Sequence, residues 1–271
     1  MEKQILNVGA EKIAVRQSKG QGPAAVLIHG NSCSSRSFQH QLEGALGDEF
    51  RIVAIDLPGH GESADASDPQ AVYSLPGYAR VIAGVAERLD LNRAVFVGWS
   101  LGGHIALELT TRLPNAAGWM IFGAPPLAFP PAMAEAFLPH PAMAATFQEK
   151  LSEEESTAYA AAMFTPGTPI PEFFLDDIRR TDGRARAGLA SSIAPNSYAD
   201  EVVVVANLTR PLAILHGEHE QLVNLTYINN LKMPTLWRGA AQMVQGAAHV
   251  PQWEQPEKFN ALVKAFLSET M

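Results

Sequence analysis

The chain has 271 residues, 47% of them hydrophobic, one cysteine and a formal charge of −8. It is long enough for one large buried core, or for a core carrying an inserted lid. The acidic balance lacks the basic footprint that phosphate backbones or anionic lipid require, and the single Cys33 excludes an intrachain disulfide and suits a reducing compartment.

The chain begins MEKQILNVGAEKIAVR, with charges where a signal peptide needs its apolar stretch. No later run approaches the roughly 20 apolar residues of a spanning helix. A cytoplasmic protein that binds neither nucleic acid nor membrane is expected. Short runs rich in Val and Ile then recur: AAVLIHG (24–30), RIVAID (51–56), RAVFVGWS (93–100), GWMIFG (118–123), PLAILHG (211–217) and AAQMVQG (240–246). Such runs predict strands buried on both faces. Residues 37–46, 78–89 and 101–112 carry apolar side chains at helical spacing, as in Ile82, Val85, Ala86 and Leu89. Strand alternating with helix predicts an α/β fold with a mainly parallel sheet covered on both sides. Ligands of such sheets bind beyond the carboxyl ends of the strands.

The rhythm breaks at 124–208, where PPLAFPPAM, LPHPAM and TPGTPIPEF punctuate short helical segments rich in Ala, Met and Phe. This segment is read as a helical cap inserted into a core made of 1–123 and 209–271, with VVVV (202–205) as part of a cap helix. The cap supplies Met133, Phe137, Met143, Phe147, Met163, Phe164, Phe173 and Phe174, flexible and aromatic groups that suit a pocket for an acyl chain. Most must pack the cap on the core. Met163 and Phe164 are candidate substrate contacts.

The chemistry concentrates after the strands. VFVGWSLGG (95–103) is a strand running into G-x-S-x-G and an apolar helix, the strand, tight turn and helix of a nucleophile elbow, with Ser100 at its tip. Trp99 either lines the pocket or packs beneath the helix. The Asn31 backbone N–H, after His29 and Gly30, and the Leu101 N–H can together form a two-donor oxyanion hole, with the Asn31 side chain as a further polar group near the reacting carbonyl. His249 follows the last predicted strand and can take the Ser100 proton near neutral pH and return it to a leaving alkoxide. His29, Asp56 and His60 are expected to brace their loops. The other histidines, His40, His104, His140, His216 and His219, have no comparable placement, and neither H-x-H-x-D-H nor H-E-x-x-H occurs. No metal and no cofactor are expected.

These motifs, HGN (29–31), DLPGHGES (56–63), GWSLGG (98–103), HGEHE (216–220) and AAHVPQWEQPEKF (247–259), resemble those of the α/β-hydrolase superfamily over nearly the whole chain. The resemblance implies a serine hydrolase with an eight-stranded, mostly parallel sheet flanked by helices and a variable inserted cap. It also implies a triad carboxylate three residues past the glycine of PLAILHG, which is Glu220, with Glu218 as rival. A position used by other members, after GWMIFG, holds Ala124 and Pro125, which cannot serve. Trp99 and Ala248 stand where histidine and glycine are frequent, which bears on pocket shape. Within the superfamily the chain is similar to the metal-independent N-acyl homoserine lactonases, which use serine, histidine and glutamate. That likeness implies a small acyl lactone as substrate, quorum quenching as the consequence, and a cap tyrosine on the substrate, here Tyr159. A carboxylesterase, a carbon–carbon bond hydrolase and a cofactor-free perhydrolase are alternatives on the same fold. A non-catalytic small-ligand receptor is the alternative of another class.

Overall fold

The computed structural model describes residues 1–193 and 197–271. One sheet contains β1 (Glu2–Val8), β2 (Glu11–Gln17), β3 (Gly22–Ile28), β4 (Phe50–Ile55), β5 (Val95–Trp99), β6 (Gly118–Phe122), β7 (Leu212–Gly217) and β8 (Gln242–Val244). Their order is β1-β2-β4-β3-β5-β6-β7-β8. β2 pairs antiparallel with β1 and β4, and every other neighbour is parallel. The longer α-helices are α1 (Leu75–Arg88), α2 (Leu101–Leu109), α3 (Glu153–Met163), α4 (Glu172–Arg180), α5 (Gly183–Ser192), α6 (Glu201–Asn207) and α7 (Pro256–Thr270). The architecture is therefore the expected mostly parallel α/β sheet with flanking helices.

Five of the apolar runs become central strands because both of their faces are covered; the sixth, β8, is instead an edge strand that leaves Met243 exposed, since no further strand lies beyond it. Ala25, Val26, Leu27 and Ile28 of β3 are all inaccessible to solvent. The pleat sends alternate residues to opposite faces. Val26, Ile28, Val53, Ile55 and Phe96 accordingly join Ile82 and Val85 of α1 and Ile105 of α2 in one apolar cluster. Ala25, Leu27, Ile52 and Val97 join Phe259, Val263 and Phe266 of α7 in the other. The helix α1 starts where Ser74 Oγ accepts a hydrogen bond from the Gly77 N–H, just ahead of its apolar face.

Two stretches differ from the sequence expectation. The hairpin of β1 and β2 has no long apolar run, since β1 is an edge strand that leaves even Ile5 exposed. Residues 37–46 form a 3-10 turn (Ser35–Phe38) and the short helices Gln39–Leu42 and Ala45–Glu49 on either side of Gly44. Between β6 and β7 the described residues hold helices and turns, and 202–205 lie within α6. The proposed cap range also takes in 194–196, which lie outside the described residues. Among the described residues no helix is long and apolar enough to cross a membrane.

The registers Ile28↔Gly98, Gly98↔Ile121 and Ile121↔Ile214 bring the carboxyl ends of β3, β5, β6 and β7 to one rim of the sheet. Phe259 braces that sheet from α7, with its ring 5.0 Å from that of Phe122. Phe259→Ala is expected to destabilise the fold by about 3–5 kcal/mol, read as a lowered urea midpoint; an unchanged midpoint would contradict this packing.

Candidate active site

The turn after β5 is built on close approach. A Cβ at Gly98 would fall 2.1 Å from the Gly102 carbonyl oxygen, and one at Gly102 would fall 2.1 Å from that of Ile28. Only glycine fits at either position, so α2 starts hard against the sheet. Ser100 between them has φ +52° and ψ −117°, a conformation that L-residues seldom adopt and that the surrounding packing must hold. Its N–H donates to the Phe122 carbonyl at 2.8 Å. The side chain lines a cavity over the sheet rim.

His249 lines the same cavity. It is positioned by three contacts. Its N–H donates to the Met163 carbonyl at 3.0 Å, its ring lies against Gly123, where a Cβ would come 2.6 Å from Cε1, and its Nδ1 lies 2.8 Å from Glu220 Oε2. Glu220 is almost wholly buried and also accepts from the Leu222 N–H at 2.8 Å. Burial pushes its carboxyl up, but the charge and hydrogen bond of His249, together with the Leu222 N–H, hold it below the ordinary glutamate range. The carboxylate therefore stays ionised beside the imidazole. Glu218 is half-exposed and accepts from the Gly246 N–H at 2.9 Å, bracing its own loop.

The loop after β3 passes so close that a Cβ on Gly30 would sit 3.2 Å from Ser100 Cβ. Among the described residues no protein acceptor takes the N–H of Asn31 or of Leu101, and both residues line the cavity. The Asn31 side chain is itself anchored: its Nδ2 donates to the Thr146 carbonyl at 2.8 Å and its Oδ1 accepts from Ser32 Oγ at 3.2 Å.

Tyr159, Met163 and Trp99 line the cavity. The Tyr159 hydroxyl lies 3.4 Å from the Asn31 carbonyl, and burial pushes its pKa up. Phe164 does not reach the cavity. Its ring packs 5.0 Å from Phe174, and Phe174 stands edge-on to Trp99, so the chain reversal after α3 turns Phe164 into support beneath the lining. Leu75, Leu127, Met133, Phe137, Met143 and Phe147 help make the walls of the cavity mainly apolar. That lining suits a small acyl compound.

The bracing histidines are neutral. Burial pushes His29 down to about 4 and His60 down to about 3. His29 Nε2 accepts from the Leu57 N–H at 3.0 Å, and Asp56 accepts from the N–H groups of Ser35 and Glu62. His104, which has no assigned place in the sequence reading, lines the cavity with Nδ1 on Glu201. The available signal is its position four residues after Ser100 on one helix face. Among the described residues no cluster of three or more His, Cys, Asp or Glu is arranged to hold a metal ion.

The Alpha/beta hydrolase family model matches residues 25–262, and the chain belongs to that family. It is 37% identical to a serine-to-glycine variant of the N-acyl homoserine lactonase AidH, solved in complex with N-hexanoyl homoserine lactone. The two superpose with a TM-score of 0.96 over 100% of this chain and 99% of that one. The chain is also 27% identical to the pimeloyl-[acyl-carrier protein] methyl ester esterase of Methylococcus capsulatus, over 94% of this chain and 98% of the relative. It is 26% identical to the biotin biosynthesis bifunctional protein BioHC of Cellvibrio japonicus, over 90% of this chain but only 47% of the relative, so it spans about half the length of that bifunctional protein.

Asp177 of α4 accepts from Ser34 Oγ at 2.6 Å and from the Arg36 guanidinium. Burial pushes the Asp177 carboxyl up to about 6, against the pull of these two partners. An unfolded aspartate titrates near 3.9. The folded state thus holds this proton more tightly, and stability falls as pH rises from about 4 to about 6 and levels off above. Asp177→Asn is expected to flatten that fall, followed as the thermal midpoint against pH; an undiminished slope would remove Asp177 as its source.

Proposed function

We propose that the protein is a serine hydrolase that opens the lactone ring of N-acyl homoserine lactones through Ser100, His249 and Glu220. The observation that carries this reading is the meeting of three strand ends at one apolar cavity: Ser100 at a strained tip, His249 paired to a buried glutamate, and two unclaimed N–H groups. The full-length likeness to a lactonase supports the substrate class.

Glu220 accepts a hydrogen bond from the Nδ1–H of His249, which leaves Nε2 free to act as base. Ser100 Oγ attacks the lactone carbonyl carbon as its proton passes to His249. The Asn31 and Leu101 N–H groups stabilise the oxyanion, each such donor being worth roughly 2.7–4 kcal/mol of barrier. The ring C–O bond breaks, and His249 protonates the departing ring oxygen. N-acyl homoserine is then esterified to Ser100 with its new hydroxyl still attached and able to re-close the ring. Water must attack promptly: His249 takes its proton, the acyl–oxygen bond to Ser100 breaks, and the proton returns to Oγ. The helical insertion acts as a cap, with Tyr159, Met163 and Trp99 against the substrate. A linear carboxylic ester is the second reading, favoured by the esterase relatives.

Products from a panel of acyl lactones and matched methyl and aryl esters, followed by mass spectrometry, test both readings. Opening of N-hexanoyl homoserine lactone with gain of one water is expected, and intact lactone beside rapid ester cleavage would overturn the lactonase reading. Ser100→Ala should lose at least about 10³-fold in kcat, and retained turnover would remove the serine mechanism. Glu220→Ala should cost on the order of 10⁴-fold, far more than Glu218→Ala, whose carboxylate faces away; the reverse order would transfer the role.

A further inference from the structure

His104 stands one helical turn beyond Ser100 on α2 and faces the same cavity. Four residues of helix advance about 6 Å and return to the same face. The imidazole is held by Glu201, the first residue of α6, with Nδ1 2.9 Å from both carboxylate oxygens. Glu201 is itself buried, and its Oε2 accepts from the Leu127 N–H at 2.7 Å. A carboxylate only accepts, so Nδ1 carries a proton, and in the neutral imidazole Nε2 then presents a lone pair. Among the described residues nothing is hydrogen-bonded to Nε2, and Leu75, Leu127 and Leu189 are among the apolar residues that line the same cavity. The side chain is partly exposed, so an acceptor there is open to a hydrogen-bond donor on a ligand.

We propose that His104 is a specificity-determining residue whose Nε2 accepts a hydrogen bond from an N–H on the substrate, close to the scissile carbonyl, with Glu201 as the residue that positions it. This rests on the acyl-lactone reading and deepens it. In an N-acyl homoserine lactone the amide nitrogen lies two bonds from the reacting carbonyl carbon. A hydrogen bond of about 3 Å beyond it spans the gap of about 6 Å along α2. The pair thus selects acylamino lactones over lactones carrying a plain carbon chain at the same position. It is a second imidazole–carboxylate pair in the cavity, turned to recognition instead of proton transfer.

The test is binding, in Ser100→Ala, of N-hexanoyl homoserine lactone and of its analogue with CH2 in place of N–H, measured by calorimetry, with kcat and KM of both in the Ser100 enzyme. His104→Leu should narrow the preference for the amide about tenfold, chiefly through KM. His104→Gln keeps a donor for Glu201 and an acceptor for the cavity, and should restore most of the preference. Equal losses on both ligands would mean a structural role and overturn the inference, as would no preference in the parent protein or no binding of either ligand. Amide-selective binding without ring opening would instead overturn the lactonase reading and leave the role of His104 standing. Should His104→Leu fail to fold, the comparison of His104→Gln with His104→Ala decides by the same ratio.

Discussion

The constraint on which the site depends is the contact of α2 with the ends of β3 and β5. With 2.1 Å between a would-be Cβ and the facing carbonyl at both Gly98 and Gly102, any larger residue would push the helix off the sheet. That contact forces Ser100 to φ +52° and lifts its hydroxyl clear of the backbone. It also sets the Leu101 N–H at the head of the helix, facing the cavity across from the loop that carries Gly30 and Asn31. The strain is local and is held by the apolar clusters on both sides of the sheet, in which every central strand takes part.

Around that turn one pairing of groups occurs twice. Glu220 and His249 are both buried, with the carboxylate held ionised against the imidazole. Glu201 and His104 repeat the pairing farther along α2. By contrast, His29 and His60 are buried without a carboxylate partner, and desolvation keeps them neutral, as suits groups that hold loops by hydrogen bonds to backbone. The presence or absence of a carboxylate separates the histidines facing the cavity from those that brace its surroundings. The mainly apolar walls then leave few polar atoms to read a ligand.

Much of this was legible along the chain. Buried strands have a plain signature because both faces must be apolar, so the five central parallel runs stand out, whereas β8 is an edge strand that is only partly covered. The β1–β2 hairpin did not, since an edge ribbon half open to water needs no such run. The GWSLGG turn could be read because its glycines and serine are adjacent and answer a local steric demand. Phe164 and Met163 are neighbours of equal promise in sequence, yet only Met163 faces the cavity. Which way consecutive side chains point at the end of α3 depends on Phe174 and Trp99, packed from elsewhere in the chain. The Asn31 amide was likewise claimed by Thr146, 115 residues away.

By itself the sequence determined the class of fold and the local turn at Ser100, because both follow from short-range periodicity and steric fit within a few residues. Only the tertiary structure decided which carboxylate meets which imidazole. Glu220 and Glu218 are two residues apart, and the path of one loop buries the first against His249 while leaving the second on the Gly246 N–H. His104 and Glu201, separated by 97 positions, become partners only because α6 packs beside α2. Such pairings are set by the packing of whole elements, which no short stretch of chain encodes.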